Sequence, residues 1–470
     1  MSDLVSMDNS KVISELLVRL QGLAHRITVL ERDNLLLRRG NAVLRERLSK
    51  YENPKNSRNS SIPPSKDENR PKKNQSLRRP SGKKVGGQPG HKGSTLEMVA
   101  APDNIIDLVP GHCNTCGVSL CGEPAIREGS RQIVDIPPIK AVWTEYRTFA
   151  EQCGCGGRTV ADFPKGVDTP VSYGENIEGL VGYFHARQYL PFKRMQEVFN
   201  DVMGIDISEG GIHRLLNRFA DRTTPLYRMI KQRVANAKVV GTDETGVKVN
   251  GGKHWLWVWQ TSLLTYIAHS DNRGKATIEA HFPNGFPNST LVRDGWRPQT
   301  GTIAEHHQTC LPHLLRHLNY LNEKYQGPSW GVQLKKLLYH AMQVGGKGHG
   351  KDQGYNLPRA EIVQGLGDLL DRPPDKEHKE LHTFYKRICR ERQHLFTFLF
   401  IEDVPPDNNA SERAIRNVKV KQKISGQFKT ERAARNFAKI RSVIDTTIKN
   451  GMNVLDALAL IAKLQPQIVD

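Results

Sequence analysis

Val239-Val-Gly-Thr-Asp-Glu-Thr-Gly-Val247 is followed within a few residues by Trp255-Leu-Trp-Val-Trp-Gln260 and Leu264-Thr-Tyr-Ile-Ala-His269. Such β-branched and aromatic runs, broken by Gly, Asn and Ser, predict three short strands, the first carrying Asp243 and Glu244 in its latter half. A second apolar strand, Thr290-Leu-Val292, ends in Arg293-Asp294-Gly295. Sheet packing explains such acids poorly, because an ionised carboxylate at a strand end needs a cation or a hydrogen-bonded partner. Further on, Asp407-Asn-Asn-Ala-Ser-Glu-Arg-Ala-Ile-Arg-Asn-Val-Lys419 starts on a capping-type Asp and continues at helical spacing. Glu412, Arg416 and Lys419 stand at i, i+4 and i+7 and share one helix face. Two readings follow. Asp243, Asp294 and Glu412 hold a pair of hard divalent cations for phosphodiester chemistry, with the basic side chains toward the phosphates. Alternatively, the helix face is a solvated stripe of ordinary ion pairs.

Outward from this stretch, the 470-residue chain is too long for one ordinary core and predicts three or more folded units. A formal net charge of +19 favours a polyanionic partner, nucleic acid before membrane. No run of about 18 apolar residues exists and the N-terminus lacks the order of a secretion signal, so a cytoplasmic protein with no membrane partner is expected. Residues 1–52 carry Ile13, Leu20, Ile27, Asn34, Asn41 and Leu48 at one heptad seam position and Leu16, Leu23, Leu30, Leu37, Leu44 and Tyr51 at the other. That pattern predicts a parallel coiled-coil homodimer, with the Asn pair setting register. The alternative is an amphipathic helix packed on its own chain.

Residues 53–100 read as a basic flexible linker. It has seven basic and no acidic residues between Arg70 and Lys84, so Lys83 and Lys84 either track DNA phosphates or belong to a solvated tether. Residues 101–168 hold Cys113-x-x-Cys116 and Cys153-x-Cys155, separated by strand-like runs at Gln132–Ile136 and Ala141–Thr148. Four thiolates suit a structural Zn2+ ribbon, with Cys121 a spare ligand; the alternative is a set of reduced thiols. Residues 169–235 predict helices. Met195–Phe199, a turn at Gly204, and Ser208 capping Gly211–Phe219 form either a helix-turn-helix reading DNA with Arg214 and Arg218, or a plain helical pair. The predicted core occupies 236–324 and 401–428, interrupted by a helical insertion at 325–400 with apolar spacing at Leu334, Leu337, Leu338 and Met342. Residues 429–470 form a C-terminal helical region. From Arg413 to Arg441, ten basic residues face one acid, Glu431, as on a DNA-facing surface or a solvated face.

Asn56-Ser-Arg-Asn-Ser-Ser-Ile-Pro-Pro-Ser-Lys-Asp67, Gly87-Gln-Pro-Gly-His-Lys-Gly93, Asp243-Glu-Thr245 with Trp255-Leu-Trp-Val258, and Asp407-Asn-Asn-Ala-Ser-Glu-Arg-Ala-Ile-Arg416 together resemble the transposases of the insertion-sequence sixty-six family. Departures are Asp294-Gly295-Trp296, where the family usually shows Gly-Tyr after the acid, and Cys310-Leu-Pro-His313, where it tends to Cys-Trp-Ala-His. A structural role is expected for Cys310 and His313, since two ligands on one helix turn do not complete a metal site.

The resemblance implies a multidomain α/β protein with an RNase H-like DDE core and helical insertion, plus N-terminal coiled coil, zinc ribbon and helical DNA-binding domain. It implies Asp243, Asp294 and Glu412 as catalytic ligands of two Mg2+, for which Mn2+ can substitute. Lys419 then matches the basic residue that follows the glutamate, with Arg413 and Arg416 beside it on DNA. The implied activity is strand cleavage and joining at element ends in a prokaryotic, nucleoid-associated setting, with accessory transposition proteins as further partners. The rivals are a non-catalytic DNA-binding regulator and a structure-selective nuclease of the same fold.

Overall fold

The computed structural model describes residues 2–52, 54–56, 59–60, 67–68, 90, 92, 96–122, 124–137, 139–164, 166–167, 169–325, 329–345 and 353–464. Lys83 and Lys84 lie outside the described residues, as does most of the expected linker. Two compact units form: Met1–Arg70 with Tyr146–Gln196 and Ile207–Asp470, and Pro71–Glu145 with Glu197–Asp206.

The chain opens with one long helix, α1 (Ser2–Glu52). Its seam residues Leu16, Leu23, Leu30 and Leu37 are 52 to 66% exposed in the single chain. A short hairpin, β1 (Ala150–Gln152) with β2 (Arg158–Val160), surrounds Cys153 and Cys155. The runs Gln132–Ile136 and Ala141–Thr148, expected as strands, form none. Their apolar side chains find no covering layer among the described residues, with Ile133 96% and Val142 92% exposed, so the pattern alone does not create a sheet.

Four helices follow: α2 (Glu175–Ala186), α3 (Phe192–Met203), α4 (Glu209–Arg222) and α5 (Thr224–Ala235). The turn falls at Gly204, at φ 63°, and Ser208 Oγ accepts from Gly211 N at 3.1 Å, capping α4 as its sequence predicts.

The central sheet is built from β3 (Val239–Val249), β4 (Gly252–Gln260), β5 (Thr265–Ser270), then β6 (Phe286–Arg293) and β7 (Ala304–Thr309), with α6 (Lys275–His281) and α7 (Arg297–Thr300) in the connections. Its order is β5-β4-β3-β6-β7. The first three strands form an antiparallel meander; β6 joins β3 in parallel and β7 joins β6 in parallel. Asn250 and Gly251, both at positive φ, close the β3–β4 hairpin in two residues, a type I′ geometry matching strand twist. Leu256, Trp257, Val258 and Trp259 are buried in succession, because β4 is covered on both faces. The edge strand β7 escapes sequence reading because His306, His307 and Gln308 hide it. Buried Gln308 donates to Thr309 O at 2.7 Å and Leu395 O at 3.0 Å.

After β7 come α8 (Leu311–Lys324), α9 (Ser329–Gly345), α10 (Gln353–Leu370) and α11 (Lys379–Glu391). Leu314, Leu318, Leu334, Leu338, Ile362, Phe384 and Ile388 share one core with Val292 of β6, so the helical insertion is packed on the sheet and not appended to it. The chain ends with α12 (Asn409–Ser425), α13 (Glu431–Lys449) and α14 (Val454–Ala462). The outer edge of β5 is closed by α13. Ile267 N donates to Ser442 Oγ at 2.8 Å and Thr265 N to Thr446 Oγ1 at 3.1 Å, which removes donors that would invite another strand. The last helices also complete the α2–α5 layer: Arg441 Nη1 donates to Ala186 O at 3.0 Å. Helices α13 and α14 therefore pack on α2 and α4, and α13 on α5 as well.

Candidate active site

Asp243 lies on β3, the middle strand, and Asp294 directly follows β6, its parallel neighbour. The register Val239↔Thr290, Val240↔Leu291, Gly241↔Val292 sets both acids two residues beyond the last pair, at one level of the sheet. Adjacent strands run about 4.8 Å apart, so two carboxylates emerge side by side.

Glu412 comes from the first turn of α12, which is fastened along β3. Asn408 Nδ2 donates to Thr242 O at 2.7 Å, Ser411 Oγ donates to Asn408 Oδ1 at 2.7 Å, and Lys419 Nζ donates to Gly246 O at 2.7 Å. The polar residues of Asp407-Asn-Asn-Ala-Ser-Glu thus bolt helix to strand. Gly241 permits the approach: a Cβ there would stand 2.6 Å from Gln260 Nε2, 2.8 Å from Ser411 Oγ and 2.9 Å from Asn408 Oδ1.

The acids share a field. Burial, then the neighbouring carboxylates Asp294, Glu244 and Glu412, push the Asp243 carboxyl well above the usual range, against the pull of the Glu244 N–H bonded to it at 2.8 Å. Glu244 is likewise raised by burial and then Asp294, although Arg273 Nη2 at 2.8 Å and Gln299 Nε2 at 2.6 Å hold its oxygens. Glu412 Oε1 is taken by Arg316 Nη2 at 3.0 Å, with His313 Nε2 at 3.7 Å. No group of three or more His, Cys, Asp or Glu side chains stands close enough to hold a metal ion among the described residues.

Cys310 is fully buried and its thiol is pushed up to about 12 by burial, so it remains S–H. Its sulfur lies 3.2 Å from His313 Nδ1 and accepts Asn408 N at 3.3 Å. The pair therefore orients the His313 ring toward Glu412 and braces the entry to α12. Behind Asp294, Arg293 is 1% exposed and donates to Glu391 Oε2 at 2.9 Å, while Arg387 Nη2 donates to Asp294 O at 3.0 Å.

Sequence reasoning missed Arg273, Arg316 and Arg387. Nothing local distinguishes them from other arginines, because their partners lie 29, 96 and 93 residues away. Of the expected DNA contacts, Arg413 and Arg416 are exposed on α12 and Lys419 is half-buried against β3. Arg214 is exposed on α4. Arg218 is exposed too and donates through Nε to the fully buried Glu178, which also takes Arg222 at 2.7 Å.

The cysteines form two tight turns. Cys113 N donates to Val118 O and Gly117 N to Cys113 O in one; Cys153 N donates to Gly157 O and Gly156 N to Cys153 O in the other. Backbone N–H groups of Cys116 and Thr115 lower the Cys113 thiol to about 7, and Cys155 lowers Cys153 in the same way. Both turns favour thiolate, the form zinc requires. Cys113 and Cys116 belong to one compact unit, Cys153 and Cys155 to the other. No helix among the described residues is long and apolar enough to cross a membrane.

A family model described as Transposase IS66 family matches residues 171–436, a span that includes Asp243, Asp294 and Glu412. A model described as Family of unknown function (DUF6444) matches residues 11–97. No curated protein matches the chain.

Proposed function

The chain belongs to the IS66 family of transposases, and we propose that it cuts and joins DNA at the ends of an insertion sequence through a DDE site on an RNase H-like sheet. The observation that carries the reading is the pairing of Asp243 with Asp294 across β3 and β6, with Glu412 bolted over the same strand and inside the same field.

The donor set fits divalent magnesium or manganese: every candidate ligand is a carboxylate oxygen, and mutual repulsion at Asp243 calls for positive charge. Asp243 and Asp294 would hold it from the sheet, and Glu412 would join them on leaving Arg316. When bound, two such ions activate the attacking oxygen and neutralise charge on the phosphate. The chain's own groups do the rest. His313 and Arg316 hold the Glu412 carboxylate in reserve at the mouth of the site. Arg387 fixes the backbone at Asp294. Exposed Arg413 and Arg416, with Lys419 beside them, meet the DNA phosphates. In the first step water adds to the scissile phosphorus and the 3′ oxygen leaves as a hydroxyl. In the second, that 3′ oxygen adds to a target phosphorus and the target's own 3′ oxygen departs, so one P–O bond forms for each that breaks.

Two further parts complete the proposal. The exposed seam of α1 pairs two copies of the chain in a coiled coil, bringing two sites to two DNA ends. The two cysteine turns, Cys113–Cys116 and Cys153–Cys155, each present thiolates of the kind that structural Zn2+ takes. The helical unit contacts DNA through Arg214, with Arg218 fixed to Glu178 as a support.

The test is Mg2+-dependent cleavage and joining of labelled duplexes taken from the inverted repeats bordering the coding region. Joining products with the wild-type chain support transposition, cleavage alone supports a nuclease, and specific binding with no chemistry overturns both. The occupation of Glu412 by Arg316 is the observation that favours a binding-only regulator, and this assay decides against it or for it. A companion variant, Gly241→Ala, is expected to cost about 1–3 kcal/mol in unfolding experiments. By displacing α12, and Glu412 with it, the variant should also slow cleavage by up to about 100-fold.

A further inference from the structure

Beside Asp294 opens a cleft of about 560 Å3, lined by Asp294, His313 and Arg387 of the site above and by Lys55, Trp296 and Tyr320, to which no role has been given. Its walls come from distant parts of the sequence: Lys55 and Asn59 from the segment just after α1, Asp294 and Trp296 after β6, Tyr320 on α8 and Arg387 on α11. Asn56 and Asn59 are anchored by hydrogen bonds. Asn59 is 2% exposed and its Nδ2 donates to Glu323 Oε2 at 2.8 Å, while Asn56 N donates to Asn59 Oδ1 at 2.8 Å. Lys55 Nζ sits 4.7 Å from the centre of the Tyr320 ring. The Trp296 ring carries the Arg273 guanidinium 4.2 Å from its centre and remains 37% exposed.

We propose that this cleft is a subsite for one unpaired nucleotide of the DNA end, its base against Trp296 and its phosphate between Lys55 and Arg387. This rests on the transposase reading and adds to it a substrate feature, a frayed terminus. The volume falls in the ~300–1,000 Å3 range of sites that enclose a small ligand, which suits a single nucleotide and not a stacked base pair. Aromatic faces take any base, and the two lining cations, Lys55 and Arg387, take a phosphate. Asp294 is the acid among the described lining residues, and it places the subsite next to the scissile phosphate. Lys55 and Asn59 lie just beyond α1 in sequence, so residues next to the helix proposed to pair two copies form part of the wall of the proposed DNA-end subsite.

The test uses the full-length protein in Ca2+ and fluorescence anisotropy with inverted-repeat duplexes, either blunt or carrying a three-nucleotide single-stranded extension at the cleavage end. The extension is expected to tighten wild-type binding roughly 5- to 100-fold, the range that stacking one base on an aromatic ring supplies. Trp296→Ala loses that gain and Trp296→Phe keeps most of it. Lys55→Ala and Asn59→Ala, the latter freeing the segment from Glu323, reduce it. Lys336→Ala, in a separate cleft beside α9, retains it. A gain that survives in Trp296→Ala and Lys55→Ala overturns the subsite. So does a wild-type protein indifferent to the extension, and if that protein still cleaves in Mg2+ the transposase reading stands.

Discussion

Asp243→Asn is expected to lower Mg2+-dependent cleavage and joining by about three orders of magnitude or more, while making the metal-free protein more stable than wild type above about pH 4. The first effect follows from removing an oxygen ligand whose charge stabilisation appears in the transition state. The second follows from linkage. A carboxyl whose pKa is raised on folding holds its proton more tightly in the native state, so stability falls as pH rises from the unfolded value near 3.9 through the raised native one. The neutral amide removes that penalty and keeps the shape. Thermal melting across pH 4 to 8, with and without Mg2+, checks this. Wild type should gain stability from Mg2+ by mass action and the variant should gain little. A variant that cleaves normally, or that melts below wild type at neutral pH, contradicts the assignment.

Glu391→Ala should be among the most destabilising single changes in the chain, at about 3–5 kcal/mol, because it strands the Arg293 guanidinium without its counter-charge. Thr309 Oγ1 loses its acceptor at 2.7 Å in the same stroke. Burial opposes ionisation of Glu391, but Arg293 and Thr309 prevail and lower its pKa. A lowered carboxyl contributes stability above its unfolded pKa and loses it as pH falls through the native one. The deficit of the variant relative to wild type should therefore be full at neutral pH and shrink in acid. The double variant Arg293→Met with Glu391→Leu should recover most of the loss, since a packed apolar pair replaces a buried ionic one at little cost. Chemical unfolding of the three proteins separates these outcomes. A single variant within about 1 kcal/mol of wild type refutes the argument.

How much of this was legible beforehand depends on the range of the interactions. The meander β3–β5 was readable because aromatic and β-branched runs separated by Asn-Gly and Thr-Ser carry local signals. The helical insertion was readable from Leu334, Leu338 and their spacing, but its merger with Val292 of the sheet was not. β7 was unreadable because its strand is written in His and Gln whose polar atoms are satisfied by residues such as Leu395. The runs near Ile133 and Val142 erred the other way, with strand-like composition and no partner strand among the described residues.

The acids themselves were found through resemblance, since isolated Asp and Glu residues are common in any chain. Their surroundings could not have been found at all. That Glu412 rests on Arg316 and not on Asp243 is decided by the fold of α8 against α12. In contrast, Asn408 and Ser411 were visible as motif letters, and only the structure gives their task, holding α12 to β3.

The most direct measurement is anomalous X-ray scattering from crystals of the protein with an inverted-repeat DNA end, grown in Mn2+. Manganese peaks coordinated by Asp243 and Asp294, with Glu412 drawn from Arg316 to join them, are the predicted result. Peaks absent from these carboxylates while DNA occupies the site, or Glu412 still held by Arg316 with manganese bound elsewhere, would contradict the account.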